Sequence, residues 1–189
     1  MTSKNLRFHP LTAERWPDLE KLFGTRGACG GCWCMYWRLM RPQFERQKGQ
    51  GNRRAFKKLV ANGEVPGILA YAGAEPVGWC GLAPREKYSR LANSRVLQPV
   101  DDQPVWSVTC FFVKKEHRAQ GVSVALLRSA TQHAKKYGAK ILEGYPVEPR
   151  QDRMADTFVW TGLAAAFLHA GFEEVARRSE TRPIMRCWI

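Results

Sequence analysis

Arg118 to Ser123 reads R-A-Q-G-V-S and stands between an apolar run and a stretch of helical period. Residues of these types at this spacing suit an anion. The first N–H groups of a helix have no carbonyl of their own, so they point at whatever negative group lies there. A glycine at the helix entry allows the tight turn that brings the backbone close to that group. A pyrophosphate fits such a place. The plainer role of a lone glycine, to permit the turn, stays open on these six residues alone.

A second stretch, Cys29 to Trp37, reads C-G-G-C-W-C-M-Y-W. The C-x-x-C spacing suits zinc, and thiolates are good zinc ligands. A structural zinc site needs four ligands, and the chain has no second C-x-x-C and no H-x-x-x-H. Cys80, Cys110 and Cys187 are isolated and fall in predicted strands, so no metal is expected. Trp33, Tyr36 and Trp37 form an aromatic cluster of the kind that lines ligand pockets, and are candidate substrate-binding residues. Arg38 and Arg41 follow closely and can hold a carboxylate or phosphate. The same three rings can also be core.

The elements that must position these residues follow from periodicity. Val105 to Val113 is rich in β-branched and aromatic residues and predicts a buried strand. Val122, Leu126, Ala130, Ala134 and Tyr137 recur at helical spacing, with Lys135 and Lys136 in the last turn and Gly138 as a left-handed stop. Ile141 to Tyr145 predicts another strand. Upstream, Leu6 to His9 is a first strand, and Thr12 caps a helix running to about Phe23. Gly24 to Gly31 is a loop. Asn52 to Asn62 is a basic helix with Phe56, Leu59 and Val60 on its apolar side. Pro66 to Tyr71 and Pro76 to Leu82 form a hairpin turning at Ala72 to Glu75. Downstream, Thr161 to Ala170 is a helix, and Phe172 to Arg177 pairs with Pro183 to Trp188. Residues 84–104 and 146–157 are long connections, which often carry function.

Bulk properties set bounds. With 189 residues and 44% hydrophobic content, residues 1–189 form one α/β domain. No apolar run approaches the roughly 18 residues of a membrane span. Met1 to Pro10 lacks the apolar core of a signal peptide. A cytoplasmic location follows as the expectation, with the six cysteines as thiols. The net charge is +13, and residues 38–58 carry eight Lys or Arg against Glu45 alone. A basic excess suits a polyanionic ligand. Nucleic acid is a weaker reading, because the only aromatics from Arg41 to Lys58 are Phe44 and Phe56, which can equally be core. There is no G-x-x-x-x-G-K-[ST], G-x-S-x-G or H-E-x-x-H.

R-A-Q-G-V-S resembles the signature of the GNAT superfamily, the acyl-CoA-dependent N-acyltransferases: Gln or Arg, two residues, Gly, one residue, then Gly or Ala. Ser123 departs from the last position but is small. F-L-H-A-G-F, Phe167 to Phe172, resembles the family's later helix-to-strand turn, and some GNAT-like bacterial proteins carry a similar Cys-Trp-Cys segment. The resemblance implies a single-domain fold with a central mixed, mostly antiparallel sheet flanked by helices. It implies acetyl-CoA as co-substrate. The amides of Arg118, Ala119, Gln120, Gly121, Val122 and Ser123 would bind the pyrophosphate, and the backbone of Phe111, Phe112 and Val113 the pantetheine arm. The acceptor would be a small-molecule or peptide amine, anionic if the local arginines serve it, and the region of Trp33, Tyr36 and Trp37 would help shape its site. A non-catalytic acyl-CoA sensor is the alternative.

Amide formation needs a neutral amine and a route for its proton. Many family members place a tyrosine, as the acid for the leaving thiolate, four residues before the glycine of the G-F turn. Phe167 stands there in this chain. The strand Ser107 to Val113 holds no carboxylate, so Glu143 and Tyr145 on the next strand are the candidate catalytic groups. His117 sits in the turn itself and faces phosphate or solvent.

Overall fold

The computed structural model describes residues 5–149 and 159–189. Seven strands form one sheet: β1 (Leu6–Pro10), β2 (Gly67–Ala72), β3 (Glu75–Pro84), β4 (Trp106–Val113), β5 (Ile141–Gly144), β6 (Glu173–Arg177) and β7 (Pro183–Trp188). Their order is β1-β2-β3-β4-β5-β7-β6. Every neighbouring pair is antiparallel except β4 and β5. The expected mixed, mostly antiparallel sheet is what the chain forms. Among the described residues the helices are α1 (Trp16–Phe23), α2 (Arg41–Gln47), α3 (Gln50–Ala61), α4 (Ser89–Ala92), α5 (Val122–Lys136) and α6 (Ala164–His169).

The parallel pair is joined by α5, whose apolar stripe of Val122, Leu126, Leu127, Ala130 and Ala134 is buried on one sheet face. It meets Ile68, Ala70, Leu82, Val108 and Phe111 there. Five side chains facing one way over four turns give a continuous apolar strip, and burial of such a strip is what holds a helix to a sheet. Gly138, at φ +80°, ends α5 as the sequence predicts. The opposite face is covered by α1 and α3, which bring Trp16, Leu19, Phe23, Phe56 and Val60 onto Leu69 and Trp79.

Several local expectations are corrected. Thr12 makes no capping hydrogen bond; Ala13–Arg15 is a 3-10 turn, and Pro17 opens α1 instead. Proline suits the first helical turn because the N–H it lacks would have had no partner there. The α2 helix, with Pro42 in the same role, and the short α4 within 84–104 escaped the periodicity reading. The α6 helix starts at Ala164 rather than Thr161, because Leu163 is extended and bridges Val147. The connection 146–157 falls largely outside the described residues.

Candidate active site

Gly121 is the N-cap of α5, with φ +77° and ψ +7°. Its carbonyl accepts the first helical hydrogen bond, from Ala125 N–H at 3.0 Å. The amides of Val122, Ser123 and Val124 therefore lie in the turn that has no helical acceptors. No acid occupies that turn. Arg118 Nε donates to the Val113 carbonyl at 2.9 Å, and Gln120 Nε2 to the Glu116 carbonyl at 2.8 Å, tying the turn back to the end of β4. His117 closes the preceding 3-10 turn, outside this cradle of amides.

Beside the turn, β4 and β5 part. They pair only from Trp106–Leu142 to Val108–Gly144. Thr109 is the extra residue of a bulge, since Cys110 pairs Gly81 while Val108 pairs Leu82. Past the bulge, Phe111, Phe112 and Val113 stay paired to β3 on one side. On the other side Phe111 N–H donates to the carbonyl of Trp160 at 2.6 Å. A wedge between two strands of one sheet results. At its base the ring of Phe167, fully buried, lies against Gly144 so closely that a Cβ at Gly144 would meet Phe167 Cε1 at 2.1 Å. Phe111 and Phe172 pack edge-on to the same ring, at 5.9 and 5.0 Å. The position at which a tyrosine acid was looked for is thus an apolar wall.

Glu143 and Tyr145 lie on the far side of β5 from α5, and both are 0% exposed. Glu143 pairs across the sheet with Ser107 and Arg186. Its Oε2 accepts from Arg186 Nε at 2.8 Å, and its Oε1 from Arg85 Nη1 at 3.0 Å and Tyr145 Oη at 2.6 Å. Tyr145 Oη also meets Ser107 Oγ at 2.8 Å and accepts from Arg85. Burial, followed by the Glu143 charge, holds the phenol well above its ordinary range. Arg186 continues to Asp101 with two bonds of 2.6 and 2.9 Å, and Arg85 Nη2 reaches the Leu97 carbonyl at 2.5 Å. The two expected catalytic groups therefore form the centre of a network that fastens loop 85–101 to the sheet. Neither turns a free oxygen or proton to solvent in this arrangement. The signal for this was in the sequence: an acid inside I-L-E-G needs a buried cation, and P-I-M-R-C-W supplies one.

The predicted aromatic trio divides. Trp33 is 3% exposed and belongs to the core, stacked on Trp16 at 6.1 Å and tilted on Phe23 at 5.7 Å. This corrects its reading as pocket lining; the loop turns it inward through φ +47° at Trp33 and +55° at Cys34. Tyr36 and Trp37 remain half-buried at the surface, with rings 5.0 Å apart. Trp160, which the sequence reading did not single out, joins them at 5.0 Å from Tyr36 and 5.9 Å from Trp37. Arg38 is drawn inward, over the Tyr88 ring at 4.9 Å and 3.7 Å from Glu64. Arg41 is exposed at the start of α2.

All six cysteines are free thiols. Cys34 Sγ accepts from Trp79 Nε1 at 3.0 Å and lies 3.1 Å from Cys110 Sγ. Burial, then the neighbouring Cys34, pushes Cys32 up to about 12. Among the described residues no three His, Cys, Asp or Glu side chains are grouped to hold a metal, and no helix is long and apolar enough to cross a membrane. Phe44 and Phe56 are 5% and 1% exposed, so neither is offered to a base for stacking. Two surface depressions lie elsewhere, one around Arg7, Arg15 and Tyr71 and one around Trp106, His133 and Tyr137.

A helix capped by a left-handed glycine is thus set beside a wedge between two parallel strands. Residues 33–157, well over half of the chain, match the family model of the GNAT acetyltransferases, and the chain belongs to that family. A search of curated proteins finds no significant match. Solved structures share the fold across their length. Aminoglycoside acetyltransferase AAC(6')-Ib in complex with ribostamycin and coenzyme A is 14% identical, with a TM-score of 0.56 over 98% of this chain and 94% of that one. The PaiA N-acetyltransferase from Thermoplasma acidophilum in complex with coenzyme A is 14% identical, with a TM-score of 0.52 over 97% and 99%. The ribosomal-protein-alanine N-acetyltransferase from Brucella melitensis is 13% identical, with a TM-score of 0.54 over 97% and 99%.

Proposed function

We propose that the chain transfers an acetyl group from acetyl-CoA to the nitrogen of an amine acceptor. The observation that supports this most is the wedge past Val108 and Gly144 lying beside the left-handed Gly121 turn. Amides of residues 120–123 hold the pyrophosphate, since the first turn contains no acid that would compete for them. The backbone of Phe111, Phe112 and Val113 holds the pantetheine arm along the edge that β5 leaves. The thioester carbon then lies in the wedge, over the Phe167 ring.

The reaction forms one C–N bond and breaks one C–S bond. A neutral amine is the attacking group, and its proton leaves by way of water at the open side of the wedge. The coenzyme thiolate departs without a protein acid, because the wall beneath it is Phe167. Glu143 and Tyr145 act here as positioning residues, holding β5 at the distance from β4 that the wedge requires. Excluding bulk water with Phe111, Phe167 and Phe172 strengthens each backbone hydrogen bond to the thioester oxygen.

The non-catalytic sensor is the second reading, and the internal engagement of Glu143 and Tyr145 is what favours it. Thiol release from acetyl-CoA separates the two. Release that depends on an added amine supports transfer. Tight coenzyme A binding with no amine-dependent release, across a broad panel, overturns transfer in favour of the sensor.

A further inference from the structure

We infer that the acceptor carries a carboxylate, held by Arg182 and the indole N–H of Trp37 beside the mouth of the wedge. This rests on the acyltransferase reading and adds the class of acceptor to it. Phe111 N–H donates to the Trp160 carbonyl at 2.6 Å, which sets Trp160 beside the edge of β4 that β5 leaves. Tyr36 and Trp37 pack on the Trp160 ring. Arg182 comes from the loop between β6 and β7, donates to Thr161 Oγ1 at 2.9 Å, one residue from Trp160, and lies near enough to Tyr36 to interact electrostatically with it.

Three features of this cluster ask for an anion. Trp37 Nε1 is buried and has no hydrogen-bond acceptor. Arg182 is half-buried, and among the described residues its side-chain hydrogen bond goes to a neutral hydroxyl. Burial also pulls its pKa below the ordinary arginine value. Arg90 lies 3.8 Å above the Tyr36 ring and donates to the Tyr36 carbonyl at 3.2 Å. Among the described residues neither Arg90 nor Arg182 is ion-paired with a carboxylate. A donor withdrawn from water without an acceptor is costly to keep, as is a half-buried cation without a counter-charge, and a carboxylate is a ligand that satisfies an indole N–H and a guanidinium together.

The same features argue against a polycationic acceptor. Such a ligand would meet two unneutralised guanidinium groups in a partly desolvated site. The aromatic faces do not compensate, because Arg90 already covers Tyr36, whose ring would otherwise attract a cation. The fold is shared with an aminoglycoside enzyme, but this cluster has the opposite charge preference.

The test is thiol release from acetyl-CoA with matched acceptors: the twenty amino acids, β-alanine, 4-aminobutyrate and aminobenzoates, the carboxamide of each, spermidine and an aminoglycoside. Tryptophan fluorescence titration with the same panel reads binding without turnover. The expected result is a kcat/KM at least tenfold higher for the best carboxylate than for its carboxamide. Arg182→Gln should bring that ratio to about one. Trp37→Phe, which keeps a ring and removes the N–H, should lower it severalfold. Equal or better use of carboxamides or polycations overturns the carboxylate assignment and leaves acyl transfer standing. Selective binding of carboxylates with no thiol release retains the assignment and overturns transfer. No binding by any member overturns the assignment.

Discussion

The amide of Phe111 is hydrogen-bonded to the carbonyl of Trp160, at 2.6 Å, on the edge of β4 that β5 abandons. That edge is where the pantetheine arm is proposed to lie, so the arm and Trp160 compete for one donor. Coenzyme A should therefore displace the Trp160 carbonyl and shift the indole beside it. The measurable outcome is a change in tryptophan emission on adding coenzyme A that is lost in Trp160→Phe. An unchanged spectrum with calorimetrically confirmed binding would place the arm elsewhere.

Gly121 occupies the left-handed region at φ +77°, which β-branched residues rarely adopt. Gly121→Val should weaken coenzyme A binding at least tenfold, or about 1.4 kcal/mol. Calorimetry on the folded variant decides it; unchanged affinity removes the turn from the site.

Glu143 and Tyr145 should answer as structural groups. Among the described residues, Glu143→Gln leaves Arg85 without a carboxylate and Arg186, itself 3% exposed, with Asp101 alone. A loss of about 3–5 kcal/mol of stability is expected from breaking a buried pair. Tyr145→Phe should cost about 1–3 kcal/mol by deleting a buried hydroxyl and keep kcat within a few fold. Urea melts and steady-state rates read both; a hundredfold fall in kcat for Tyr145→Phe would make it the acid after all.

Trp33 and Trp37 should part company. Trp33→Ala removes a buried core ring, and a loss of about 3–5 kcal/mol is expected. Trp37→Ala should keep its melting temperature within a few degrees and raise KM for the acceptor, while KM for acetyl-CoA stays within about twofold. Equal loss for both substrates in Trp37→Ala would assign it to packing.

His133 carries a pH signature. Burial, with Lys136 adding to it, lowers the pKa of His133 in the fold. The unfolded chain, with a histidine pKa of about 6.5, binds the proton more readily. His133 thus contributes fully above that value, and stability falls as pH drops from about 6.5 toward its lower folded pKa. Melting temperatures from pH 7 to pH 5 should decline less steeply in His133→Gln than in the parent chain.

The fold was legible where periodicity was strong. Val122 to Ala134 gave α5, and the run Val105 to Val113 gave β4 to within one residue. The glycine-capped turn before α5 was legible because glycine chemistry is local. The wedge was not, since strand divergence depends on a bulge at Thr109 that no alternation marks. Trp33 was misread for a related reason. Its direction is set by left-handed backbone at Trp33 and Cys34, conformations that side-chain types do not announce. Arg182 and Trp160 went unnoticed because they are 22 residues apart in the chain, and the β6–β7 hairpin brings Arg182 only to Thr161, beside Trp160.

Glu143 is shared by two arginines, Arg85 from the loop after β3 and Arg186 from β7. Substitutions at these three positions cannot be independent. Losing the carboxylate leaves Arg85 without a charged partner and Arg186 with Asp101 alone among the described residues, whereas a cation lost afterwards relieves part of the damage, so the combined cost falls short of the sum. Divergence at this locus is then constrained in its order. An arginine can drift to a neutral residue before the acid does, but an acid that drifts first leaves a chain that must recover by compensation elsewhere in the trio.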